Sequence, residues 1–142
     1  MHASNWAAAN ILRDGDHVVV AHAVDDIPFT FQPDIDIGMP IISSDTSASE
    51  LVYTEAGKAV VDCVKSLHSH ASTIKFDATT DVFFGAAGPS IVGKANEYNA
   101  DMIIVGTHGR SGITSFLLGS VSGYVSKNAH CPVILVTKDK KH

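Results

Sequence analysis

Gly106, Gly109, Gly119 and Ser120 are the residues whose types and spacing best suit a chemical task, and that task is holding a phosphate. An apolar run, Met102-Ile103-Ile104-Val105, leads into Gly106-Thr107-His108-Gly109, and after nine intervening residues Gly119-Ser120 heads an amphipathic segment. Glycines let the backbone approach an anion closely. The first N–H groups of a helix have no intrahelical partners and lie at its positive dipole end. Ser120 adds a hydroxyl where a phosphate oxygen would sit.

Each of these residues also has a plainer reading. Gly106 and Gly109 could be mere turn residues after a strand, although the spacing to Gly119-Ser120 would then be accidental. Gly119 would allow close helix packing, and Ser120 would act as an N-cap, using the same N–H groups that a phosphate would take. Gly112 either bends the connecting loop or touches a phosphate. Arg110 meets a phosphate or stays solvated, and His108 faces the ligand or the solvent. A second glycine pair, Gly85 and Gly88, suits a turn before a helix better than a ligand contact.

Missing signatures narrow the chemistry. The chain has no Gly-x4-Gly-Lys-Ser/Thr and no Gly-x-Gly-x-x-Gly, so neither a P-loop nor a dinucleotide fingerprint is expected. It also lacks a nucleophile elbow, a His-Glu-x-x-His segment and a carboxylate pair set for acid–base work. Nothing in the glycine pattern orients a water for attack, so any hydrolysis of a bound phosphate compound should be slow and no catalytic residue is assigned.

The elements that must position the glycines alternate along the chain. Residues 4–12 suggest a helix closed by Asp14-Gly15-Asp16, and Val18-Val19-Val20-Ala21 is a β-branched run suited to burial on both faces. Residues 25–47 hold three prolines and no helical period, which predicts a long loop. Tyr53, Ala56, Val60, Val64 and Leu67 recur at three- and four-residue spacing, the stripe of a long helix over 49–70. A strand within 73–84, a helix from Pro89 to about residue 99, a strand at 102–105, a helix near 119–128 and a strand at 132–137 complete the order. Strands alternating with helices predict an α/β fold, an open parallel doubly wound sheet with helices on both faces and ligands at the carboxyl ends of its strands.

At 142 residues with 45% hydrophobic residues, one domain with one core is expected. A formal charge of −5 argues against nucleic acid as a partner. No run reaches the length of a membrane span and residues 1–5 lack the features of a signal peptide, so a soluble, cytoplasmic protein is the expectation. Cys63 and Cys131 suggest buried thiols, and the eight scattered histidines do not suggest a metal site.

The glycine block resembles the universal stress protein family, whose ATP-binding members carry Gly-x2-Gly-x9-Gly-Ser/Thr, matched here by Gly106, Gly109, Gly119 and Ser120. The likeness continues through Val121-Ser122 and Tyr124-Val125 to Cys131-Pro132-Val133-Ile134-Leu135-Val136, and covers nearly the whole chain. It implies an adenine nucleotide alpha hydrolase-like fold and a stress-response regulatory module binding ATP or AMP, with Mg²⁺ an option through the phosphates. By the same resemblance, the backbone of Ala23 and Val24 would line an adenine pocket, with Asp25 near it. The alternatives to this module are a nucleotide-free dimerising interaction protein and a slow ATPase.

Family members open with a central strand ending in Val-Asp-x-Ser, followed by a helix carrying Trp-Ala. Here Trp6-Ala7 is present and the opening strand with its Asp has no counterpart. Either strand 18–24 and strand 102–105 then close directly on each other, or another segment fills the gap. With neither, unpaired backbone groups and apolar faces are left exposed. The last strand, Val133-Ile134-Leu135-Val136-Thr137, is apolar on both sides and late in the chain, where a doubly wound sheet has its edge. Pairing of that edge with a second copy is expected, and the resemblance also points to a homodimer.

Overall fold

The structure is a computed structural model that describes residues 2–24, 32–33, 40–41, 46–107 and 118–137, with the backbone alone for residues 32–33, 40–41 and 46–50. Its elements in chain order are α1 (His2–Asn10), β1 (His17–Val24), β2 (Gln32–Pro33), β3 (Pro40–Ile41), α2 (Thr46–His70), β4 (Asp77–Phe84), α3 (Ala87–Glu97), β5 (Ile103–Gly106), α4 (Ser120–Asn128) and β6 (Val133–Val136).

The alternation of strands and helices is as expected, with most boundaries within a few residues of the sequence reading. The expected long loop at 25–47 differs in detail, because Gln32 pairs with Ile41 and Pro33 with Pro40 in a short antiparallel ribbon, and α2 starts at Thr46. The β-rich stretch from residue 73 becomes a strand only at Asp77, since Thr73 and Ile74 complete the turn after α2, where the Ile74 N–H donates to the Ala71 carbonyl.

The turn between α1 and β1 works as read. Gly15 takes φ +89°, its N–H donates to the Lys75 carbonyl at 2.8 Å, and the Asp14 carboxylate accepts from the Lys75 N–H at 2.7 Å. That turn therefore ties the start of β1 to the start of β4. Behind it, Ala8, Leu67, Ala71 and Phe76 form a buried cluster, with Leu12, Val18, Val20, Ile74 and Ala78 packed against it.

The sheet is parallel and lies in two halves. β1 pairs with β4 from His17↔Asp77 to Val24↔Phe84, and β5 pairs with β6 from Ile103↔Val133 to Gly106↔Val136. Among the described residues, β1 and β5 are not paired with each other and no strand lies between them. Thus neither direct closure nor filling of the gap is observed there. α2 and α3 pack on the same two strands, β1 and β4, but not on each other, so helices cover both faces. α1 joins α2 in one layer and reaches β5 and β6, while α4 joins α3 in the other and reaches β6.

Candidate functional site

The carboxyl ends of the strands meet the start of α4. β5 ends at Gly106, and the next N–H, that of Thr107, donates to the Val136 carbonyl at 3.0 Å. After the intervening segment the chain returns at Gly119, the N-cap of α4, in an extended conformation with φ −58° and ψ 156°. A Cβ placed on Gly119 would stand 3.5 Å from the Thr107 carbonyl oxygen and 3.5 Å from Ser122 Oγ. Strand end and helix start are therefore side by side.

Gly119 offers no side chain to cap the helix, and the first turn of α4 contains no acidic residue. The first intrahelical bond runs from the Gly123 N–H to the Gly119 carbonyl at 2.8 Å. The N–H groups of Ser120, Val121 and Ser122 precede it and have no intrahelical acceptor. Ser122 is 2% exposed and its hydroxyl donates to the Gly119 carbonyl at 3.1 Å, so that hydroxyl braces the turn. Ser120 is exposed at the tip. Among the described residues no side chain caps these donors and no carboxylate answers them, an arrangement at a dipole's positive end that suits an anion.

The other sequence-derived positions divide into those the structure places and those it does not. Ala23 and Val24 end β1, with Val24 buried and its carbonyl accepting from the Gly85 N–H at 3.0 Å. They belong to the β1–β4 half, whereas Gly106 and Gly119 to Ser122 belong to the β5–β6 half and α4. His108, Gly109, Arg110 and Gly112, and also Asp25, lie outside the described residues. Among the described residues no three His, Cys, Asp or Glu side chains are grouped to hold a metal.

The second glycine pair does structural work. Gly85 adopts φ +130°, and Gly88 is buried where a Cβ would come within 2.9 Å of Tyr124. Gly85 thus forms the turn before α3 and Gly88 lets α3 approach α4. Cys63 and Cys131 are free and half-buried rather than buried. Thr107, which the glycine spacing did not single out, supplies the carbonyl facing Gly119. Its position inside the Gly106–Gly109 pattern was the available signal.

Comparison with known proteins follows the same geometry. The Universal stress protein family profile matches residues 1–137. The chain belongs to the universal stress protein family. A universal stress protein of Methanocaldococcus jannaschii is 36% identical over 135 residues, covering 94% of this chain and 73% of the relative. Two solved structures share the fold. A universal stress protein from Arabidopsis thaliana described with AMP bound has a TM-score of 0.56 at 15% identity, over 99% of this chain and 78% of that one. A universal stress protein described in complex with cAMP has a TM-score of 0.52 at 21% identity, over 96% and 82%. No helix among the described residues of this universal stress protein is long and apolar enough to cross a membrane.

Proposed function

We propose that this universal stress protein is a regulatory module that binds an adenine nucleotide, ATP or AMP, with its phosphates on the amino end of α4. The single observation that carries the reading is the first turn of α4, uncapped among the described residues, with Gly119 beside Thr107 and the N–H groups of Ser120, Val121 and Ser122 turned out for an anion. The AMP and cAMP described in two structural relatives support adenine as the base. Mg²⁺, where it takes part, would be held by phosphate oxygens and water.

In this reading the protein binds and orients rather than reacts. Backbone donors hold the phosphate charge, and occupancy changes the shape offered to a partner or the choice of partner. Calorimetric titration of ATP and of AMP, with and without Mg²⁺, tests it. Ser120→Asp is the control, because an acid at the first helical position favours the helix dipole yet opposes a phosphate. Binding by the native chain that weakens at least about tenfold in a folded Ser120→Asp variant supports the module. Equal binding by both, or none by the folded native chain, removes it.

A second reading is an interaction protein that pairs through β6 without nucleotide. It is favoured by one observation: the adenine-side residues Ala23 and Val24 belong to the β1–β4 half and the phosphate-side residues Gly106 and Gly119 to the β5–β6 half with α4, and the two halves do not pair with each other among the described residues.

A further inference from the structure

β4 has no strand beyond it among the described residues. The Asp77 N–H donates to the Asp16 carbonyl and the Gly85 N–H to the Val24 carbonyl, so the odd-numbered residues of β4 turn their peptide groups to β1. Ala78, Thr80, Val82 and Phe84 turn theirs outward. Strand edges are commonly blunted by a lysine, a proline or a bulge. β4 has none of these: its register with β1 runs unbroken from Asp77 to Phe84, and it contains neither lysine nor proline. Its acids, Asp77 and Asp81, share the face toward α3, where the Asp81 carboxylate accepts from the Tyr98 hydroxyl and lies 3.8 Å from Lys94 Nζ.

The α2 face of the same strand is uncharged and aromatic at both ends. Tyr53 stacks on Phe84 with ring centroids 5.8 Å apart, and His68 stacks on Phe76 at 4.5 Å, so α2 runs antiparallel to β4. Val61 lies between Tyr53 and His68 on the same flank of the helix. The helix from Tyr53 to Val61 rises about 12 Å and the strand from Phe84 to Thr80 about 13 Å, which sets Val61 level with Thr80. Tyr53, Val61 and Phe84 are 48%, 44% and 46% exposed, and Thr80 is exposed as well. An apolar flank therefore runs beside a row of outward backbone groups.

We propose that this edge pairs antiparallel with β4 of a second copy, about a two-fold axis at Thr80. Charge selects the register. An axis at Asp81 would set that carboxylate opposite its own copy, which is unfavourable. With the axis at Thr80, Asp77 stands opposite Phe83 of the second copy, where Lys94 Nζ lies 6.0 Å from the ring centroid. An exposed acid thus meets a lysine, and the symmetry makes the contact twice. On the α2 face Phe84 stands opposite Phe76, so each aromatic stack meets the other kind of stack on the second copy. The helices fit the same arrangement. α2 packs on both β1 and β4, so the two α2 helices would lie two inter-strand spacings apart, about 10 Å, the distance of packed helices. Val61 then meets its own copy at the axis. This surface is separate from the amino end of α4 and from β6, so it stands independently of nucleotide binding and of pairing through β6.

The test is amide hydrogen exchange by NMR on the full chain, without nucleotide, at about 1 mM protein, well above the micromolar dissociation constants of weak standard-sized interfaces. The reference is Val61→Glu, which alters an exposed side chain and sets two like charges at the axis. Thr79, Asp81 and Phe83 should be protected in both proteins, because they bond to β1. Ala78, Thr80, Val82 and Phe84 should exchange at least about tenfold more slowly in the native chain than in the reference. Thr80→Pro removes only an outward N–H, and Asp77→Lys faces Lys94 of the second copy, so both should return the remaining outward amides to the fast rate. Fast exchange of the four amides in the native chain overturns the pairing. Protection that survives in folded Val61→Glu also overturns it, since a segment of the same chain would then cover the edge. Protection unchanged by Asp77→Lys overturns the axis at Thr80. A change at Leu135 in place of the β4 amides assigns the contact to β6 and overturns it as well.

Discussion

The Thr107 carbonyl oxygen lies 3.5 Å from the place a Cβ would take on Gly119, so the end of β5 and the first turn of α4 touch across a glycine with room for a small side chain. The contact explains both parts of the glycine pattern that the structure describes. Gly106 ends the strand, and Gly119 leaves the helix start without a side-chain cap among the described residues.

Gly119→Asp should separate stability from function. Gly119 already has the extended backbone of an N-cap, and the added Cβ meets only ordinary contacts. An aspartate there can accept from the N–H groups of Val121 or Ser122, so thermal unfolding should move upward by an amount equivalent to about 0.5–1 kcal/mol. Calorimetry on the same variant should record loss of nucleotide binding, because the carboxylate occupies the donors and repels phosphate. Retained affinity would place the phosphates elsewhere.

The β6 edge gives a pair of prolines with opposite outcomes. Pro132 and Val136 present their carbonyls to β5, so Ile134 faces inward while Leu135 turns its N–H to the outer edge. Leu135→Pro should leave the domain folded and abolish dimerisation through this edge, since an edge strand tolerates proline where the lost N–H pointed outward. Ile134→Pro should break the β5–β6 ladder and lower the unfolding temperature. Sedimentation velocity beside circular dichroism reads both, and a Leu135→Pro dimer would exclude edge pairing.

Gly88→Ala should destabilise the helix pair. Its Cβ would come within 2.9 Å of Cβ, Cγ and Cδ1 of Tyr124. Part of that contact is the root of the side chain, which cannot swing away, so α3 and α4 must separate at a cost of about 1–3 kcal/mol. Adding Tyr124→Ala removes the ring contacts and keeps the Cβ contact, so rescue by the double variant in urea unfolding should be partial.

Tyr98 supplies a pH-dependent test. Its hydroxyl donates to the Asp81 carboxylate, and that bond, with some desolvation and the Asp81 charge, raises the phenol pKa above its usual 10.0, against a smaller opposing effect of Lys94. A group with a raised folded-state pKa contributes its stability below the unfolded value and loses it as pH climbs through the folded one. Tyr98→Phe should therefore be less stable than the native chain at neutral pH, by less than about 1 kcal/mol because the pair is half-exposed. The difference should vanish at strongly alkaline pH. A difference that persists there would trace to packing.

How much was legible in the sequence follows from the range of each interaction. The apolar period of 53–67 announced α2, the β-branched run announced β1, and Asp14-Gly15-Asp16 announced a turn, because period, branching and positive φ are local properties. The glycine spacing likewise placed a strand end and a helix start in order. Gly88 was legible only as part of a turn, since the ring it accommodates belongs to a residue 36 positions later, the difference between Gly88 and Tyr124. The sequence by itself determined the alternating α/β elements, the parallel sense of the sheet and the uncapped glycine start of α4. Only the tertiary structure decided that Gly119 meets Thr107, which edge of β6 faces outward, and that β1 and β5 are unpaired with each other among the described residues. Those facts depend on hydrogen-bond register and on contacts between distant segments, and no local residue pattern encodes either.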